Sequence, residues 1–188
     1  MLNANAICDV TTAKEYIKLT GTADDLLIEK IINGVSSIFE NYCHCKFINV
    51  AITEVLDGAG EDKIIVDTLP ISTLTSIKTR ISTTWTALTL TDFVIDSKAG
   101  LILYEVDVFP EGFQNIELKY TAGYGAAIAN LPSDLVLAAL KQCEFFYKRD
   151  SADFSDTFDE GIVIRAPSEL LSPTVEGMLA AYYKTVMK

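Results

Sequence analysis

A change of hydrophobic period within residues 116–149 dictates the architecture of this chain, because a strand there runs into a glycine corner and then a long helix. Ile116, Leu118 and Tyr120 alternate with Asn115, Glu117, Lys119 and Thr121, the period-2 pattern of a strand with one buried and one wet face. The run Thr121-Ala122-Gly123-Tyr124-Gly125 ends that pattern, since its glycines supply backbone angles that a side chain would forbid. Pro132 fits the first position of a helix, followed by a polar, acidic turn at Ser133 and Asp134. Leu135, Ala139, Cys143 and Phe146 then recur at helical spacing, and Lys148 and Arg149 suit the far end.

The flanks are helical. Thr12 and Glu15 have capping-box spacing, which predicts a short helix carrying Ala13, Lys14, Tyr16, Ile17 and Leu19 that stops near Gly21. Thr22 with Asp25 repeats the signal ahead of a longer helix to about Tyr42, with Ile28, Ile31, Val35, Ile38 and Tyr42 on one stripe. Gly34 inside it costs about 1 kcal/mol against alanine, a loss that close packing on another helix would explain. Pro173 opens a last helix whose apolar stripe is Val175, Met178, Leu179 and Tyr182, with Lys184 and Lys188 at its end.

Between these flanks, residues 47–121 read as short strands. Ile48, Val50 and Ile52 alternate, residues 63–66 form a brief apolar run, and Ile77, Thr79 and Ile81 alternate against Ser76, Lys78 and Arg80. Asp57-Gly58-Ala59-Gly60 and Pro70 mark turns, and Ser97-Lys98-Ala99-Gly100 joins a hairpin of residues 93–95 with 101–104. An antiparallel meander follows. Trp85 has two readings, an exposed interface anchor or a half-buried strand residue. A short strand is expected at residues 161–165, after an acidic stretch of Asp150, Asp153, Asp156, Asp159 and Glu160 that also carries Phe154 and Phe158. That stretch fails as a calcium loop, because its sixth position is Ser155 and its twelfth is Gly161.

The composition narrows the function. A single domain over residues 1–188 suffices, 49% hydrophobic and 22% charged, with no run approaching a membrane span and no secretory leader at its start. Synthesis in a cytoplasm is expected. With 26 acids against 15 bases, a net charge of −11, nucleic-acid binding is disfavoured. An acidic wall around a channel nevertheless suits DNA that must slide without sticking. Cys43-His44-Cys45 lacks the spacing and the second ligand pair of a zinc site, so Cys8, Cys43, Cys45 and Cys143 read as free, packed thiols. His44 is the only histidine, and no nucleophile, phosphate loop or carboxylate pair stands out. Neither enzyme activity nor a cofactor is expected.

The run Lys119-Tyr120-Thr121-Ala122-Gly123-Tyr124-Gly125, then Leu131-Pro132-Ser133-Asp134-Leu135 and a helix ending Tyr147-Lys148-Arg149-Asp150, resembles the head-tail connector family of tailed bacteriophages. The amino-terminal pair, Thr12-Ala13-Lys14-Glu15-Tyr16 and the helix from Asp24-Asp25-Leu26-Leu27 to Phe39-Glu40-Asn41-Tyr42, is similar to the same family. So is the segment from Leu171 to Lys184, although Lys184 stands where the family pattern has arginine. The resemblance implies an α+β adaptor in which helices from residues 12–43, 132–149 and the carboxy-terminal segment 150–188 form a bundle around an inserted β region. It further implies a virion protein of the head-tail junction, a homo-oligomeric ring under the portal that matches the twelvefold portal and extends the DNA channel, with a monomer in isolation as the other solution state. Such a ring offers a platform to the next tail or stopper protein, and DNA passes without specific binding. The expected interface residues are Asp57, Glu61, Trp85 and Tyr124 in the β region and Met178 and Tyr182 on the last helix. A tail-completion protein of the same virion is the alternative, with a small metal-binding module behind it.

Overall fold

The computed structural model describes residues 1–151 and 170–183. These form two compact units, a helical one from Met1–Cys43 and Pro132–Tyr183 and a β unit from His44–Leu131. The acidic run at residues 153–160 with Phe154 and Phe158, the expected strand at residues 161–165, and Lys184 and Lys188 lie outside the described residues.

The helical unit contains α1 (Val10–Ile17), α2 (Asp25–Cys43), α3 (Ser133–Ser151) and α4 (Pro173–Leu179). The cap of α1 is Asp9, not Thr12: its carboxylate accepts the Thr12 N–H and the Thr12 hydroxyl, both at 2.8 Å. A carboxylate at that position satisfies an orphan amide of the first turn, so the helix starts earlier than the Thr12–Glu15 spacing implies. It also stops earlier, at Lys18, whose left-handed φ of 64° turns its N–H back onto the Glu15 and Lys14 carbonyls. Helix α2 buries Ile28, Ile32, Val35 and Phe39 completely, whereas Ile38 and Tyr42 are half-buried. Gly34 is exposed, and nothing lies within 4 Å of where its Cβ would be, so no close helix packing explains it. Pro132 falls one residue before α3, and its carbonyl accepts the Val136 N–H at 3.2 Å. Leu135, Ala139 and Cys143 are buried along α3, as the helical spacing requires. Ser172 caps α4 with Pro173 in its first turn, and Val175 and Leu179 are buried.

The β unit is antiparallel throughout its named strands: β1 (Val50–Gly58), β2 (Lys63–Ile65), β3 (Ile71–Ile81), β4 (Thr84–Ala87), β5 (Phe93–Asp96), β6 (Leu101–Tyr104) and β7 (Gly112–Ala122). They divide into two sheets, ordered β1-β7-β3-β4 and β2-β6-β5. Strand β7 is central to the larger sheet, and Ile116, Leu118 and Tyr120 all face its core with Ile77, Ile102 and Phe109. Asn115 departs from the wet face expected of it and is buried, because its amide oxygen accepts the Gly58 N–H (2.8 Å) while its NH₂ donates to the Pro110 carbonyl (2.7 Å). Asp57 and Gly58 belong to β1, so the turn begins at Ala59. The corner after β7 needs glycine at 123: φ is +141°, and a Cβ would lie 2.7 Å from the Asn49 backbone. The 93–104 hairpin forms as its turn residues indicate, with Phe93 opposite Tyr104 and Asp96 opposite Leu101.

Candidate assembly surfaces

Pleating gives the larger sheet two unlike faces. Its inner face is apolar core, while the outer face carries Thr53 and Val55 of β1, Glu117 and Lys119 of β7, Lys78 and Arg80 of β3, and Trp85 of β4. The register sets Lys78 opposite Glu117 and Arg80 opposite Trp85. Lys78 Nζ lies 3.2 Å from Glu117 Oε1, and Lys119 Nζ lies 3.8 Å from the same oxygen. Arg80 has no carboxylate partner among the described residues; its guanidinium sits 5.2 Å over the Trp85 ring and donates to the Phe113 carbonyl at 3.3 Å.

Trp85 is 37% exposed, so it stands at the boundary between the two readings. At this end of the sheet Phe113 (74% exposed) lies next to Arg80, and Ile81 (72%) is exposed on the opposite face, paired with Thr84. Ile81 thus leaves the buried alternation of Ile77 and Thr79, because it lies where the β3–β4 hairpin projects past the sheet. Asp57 joins this end, its Oδ1 accepting the Gln114 N–H at 2.6 Å. Glu61 is exposed beside Lys63, and its carbonyl accepts the Phe109 N–H at 2.9 Å. Asp57, Glu61 and Trp85 are therefore all exposed on the β unit. Tyr124 differs: it is half-buried and stacked on Phe47, with ring centres 6.0 Å apart.

A second kind of surface occupies the β5–β6 side. The Glu105 N–H donates to the Asp92 carbonyl at 3.0 Å, which sets these two residues side by side, with Asp107 shortly after. Burial, then the nearby Asp107 and Asp92 carboxylates, push the Tyr104 phenol above its usual range. Val106 and Val108 interleave with the acids and are exposed.

In the helical unit, Met178 on α4 and Tyr182 are half-buried; Tyr182 lies past the expected helix, in the turn after Leu179, and its hydroxyl donates to Asp134 Oδ1 at 2.7 Å. A shallow groove of about 420 Å³ there is lined by Ile38, Asn41, Tyr42, Leu170, Leu171 and Glu176. Sequence reasoning missed the joint face of Lys78, Arg80 and Lys119, since strand register decides which alternating residues share a face, and it missed the exposure of Ile81, which lies past the last β3–β7 pair.

The sulfur chemistry is quiet. All four cysteines are free and buried. The Cys143 thiol hydrogen-bonds Cys8, and that contact together with burial pushes its pKa up. Cys43 ends α2 in the helical unit, and Cys45 belongs to the β unit, with exposed His44 between them at a left-handed φ of 52°. Among the described residues no three His, Cys, Asp or Glu side chains group as metal ligands would, and no helix is long and apolar enough to cross a membrane.

Among the described residues the fold is a four-helix unit with an antiparallel β unit inserted between its second and third helices. Three solved structures share it: the neck of an empty gene transfer agent particle computed with C6 symmetry (16% identity, TM-score 0.68), the virion of the native gene transfer agent particle (17%, 0.67) and the native neck computed with C12 symmetry (16%, 0.67). In each case the match covers 98% of this chain and 92% of the other. No curated protein matches the chain. The head completion protein family model matches residues 6–185, and the chain belongs to that family.

Proposed function

We propose that the chain is a non-enzymatic structural protein of the virion head-tail junction, an adaptor that assembles side by side into a ring below the portal. The ring extends the DNA channel and gives the next tail or stopper protein its platform. The observation that carries this reading is the family match over residues 6–185 joined to a neck fold that spans 98% of the chain. The C6 and C12 symmetry with which the necks holding the fold relatives were computed supports a ring that matches the twelvefold portal. The net charge of −11 suits a channel wall that repels phosphates, so DNA passes without specific binding. The two units work as one connector module. Asp57, Glu61 and Trp85 contact neighbouring copies or the tail side, Tyr124 is a further contact at the opposite end of the larger sheet, and the segment of Met178 on α4 and Tyr182 just beyond it reaches the portal.

Light scattering of the purified chain, with and without portal rings and across concentration, tests the ring. A closed ring, alone or on the portal, is the expected outcome. A monomer indifferent to the portal shifts the role to tail completion, which head or tail intermediates that copurify with the chain would reveal. For α4, truncation after Arg165 is expected to abolish portal pull-down; unchanged binding removes that contact.

A further inference from the structure

We propose that the outer face of the larger sheet docks a second copy of this chain, and that it receives the Asp92, Glu105 and Asp107 rim of that copy. The inference rests on the ring reading and assigns its two surfaces. In a chain of net charge −11, Lys78, Arg80 and Lys119 share one sheet face with Glu117 alone near them, and that carboxylate is already divided between the two lysines. Asp57 stands at the corner of the face with an oxygen committed to the Gln114 amide, so the face stays net positive. An arginine lying on a tryptophan and bonded to the carbonyl of the exposed Phe113 has the composition of an interface centre.

The edge supports the same assignment. Strand β4, Thr84-Trp85-Thr86-Ala87, is exposed along its whole length and pairs only with β3, yet it carries none of the charges or prolines that normally guard an open edge. The rim is its chemical opposite: carboxylates interleaved with the exposed Val106 and Val108, none of them in an ion pair with a basic side chain among the described residues. Positive-aromatic therefore meets acidic-aliphatic, which fixes orientation as well as attraction. Two unlike patches on one chain make a head-to-tail contact, the kind that closes into a ring at the right rotation. DNA phosphates could also meet three cations, but the field of a chain with net charge −11 opposes them, so a protein partner is favoured.

The test reverses the charges. Self-association is measured by light scattering at low and high salt for the wild type, for K78E/K119E, for E105K/D107K, and for an equal mixture of the two variants. The wild type is expected to associate, less so in high salt; each variant alone loses at least tenfold in association, and the mixture recovers it, because each altered face then finds an altered partner. The neutral K78Q/K119Q shows a smaller loss in the same direction and serves if a reversal variant does not fold, which thermal melting reports. Assembly indifferent to every reversal, a mixture without recovery, or DNA capture that depends on Lys78 and Lys119 while association does not, each overturns this inference and leaves the ring reading intact. A wild-type chain that stays monomeric alone and on portal rings overturns both.

Discussion

Tyr120 of β7 donates its hydroxyl to Glu54 Oε1 of β1 at 2.5 Å, diagonally across strands whose register pairs Tyr120 with Ile52. The same hydroxyl oxygen lies 3.3 Å from the Thr68 N–H and 3.2 Å from the Thr68 carbonyl, while Glu54 Oε2 accepts the Asp67 N–H at 3.3 Å. A phenol and a carboxylate thus tie the larger sheet to the loop before Pro70. Tyr120→Phe deletes the bonds and keeps the ring, so urea unfolding should report a loss of about 1–2 kcal/mol. Burial, followed by the Glu54 hydrogen bond and charge, raises the phenol pKa above its usual 10.0. The unfolded chain therefore ionises first, and stability falls as pH rises past about 10. A smaller decline in Tyr120→Phe than in the wild type is the expected result; parallel curves would sink the assignment.

Asp9 anchors α1 and titrates the other way. Burial alone would raise its carboxyl pKa, but the Thr12 amide and hydroxyl outweigh it and hold the value below 3.8. A depressed acid contributes stability above its unfolded pKa and loses it as pH falls through the folded value. Asp9→Ala should cost about 1 kcal/mol at neutral pH, a difference that thermal melts should show shrinking toward pH 3. An equal gap at both pH values contradicts the capping role.

Two glycines should respond in opposite directions. A Cβ on Gly58 would sit 1.9 Å from the Pro110 carbonyl oxygen, so Gly58→Ala has to move backbone and should destabilise by about 2 kcal/mol or more. Gly34 meets open space on an exposed helix face, so Gly34→Ala should stabilise by about 1 kcal/mol. Denaturant midpoints of the two variants moving the same way would contradict this.

The buried thiols give a kinetic readout. Cys8, Cys43, Cys45 and Cys143 are all buried, and Cys143 is further protected by its bond to Cys8 and its raised pKa. A thiol reagent should modify the native protein slowly and all four sites at once on unfolding. Rapid labelling of any cysteine without denaturant would show that its burial is not maintained in solution.

Much of the architecture was legible because apolar period is a local property. The β7 strand, the glycine corner, the α3 stripe and the 93–104 hairpin could be read residue by residue, and the family resemblance named the right class. What escaped depends on partners distant in sequence. The α1 cap is the local exception, because the Asp9 carboxylate, three residues before Thr12, takes the Thr12 amide. Asn115 turned inward because Gly58 and Pro110 offered it partners. The joint face of Lys78, Lys119 and Trp85 emerges only when β3, β7 and β4 are set in register. Trp85 and Asp57 were singled out from the sequence, but nothing in period or composition could set Asp57 on the Gln114 amide or the Trp85-stacked Arg80 on the Phe113 carbonyl, both on a strand later in the chain.

The division of the chain into units also orders its birth on the ribosome. The β unit, His44–Leu131, is continuous and can collapse as soon as it emerges. Helix α2 leaves the ribosome before it, yet its partners α3 and α4 follow only after that whole insertion. At ordinary synthesis rates the wait is on the order of ten seconds. Throughout it, the stripe of Ile28, Ile32, Val35 and Phe39 has no finished core to enter, which makes nascent α2 the segment where a chaperone would be needed first.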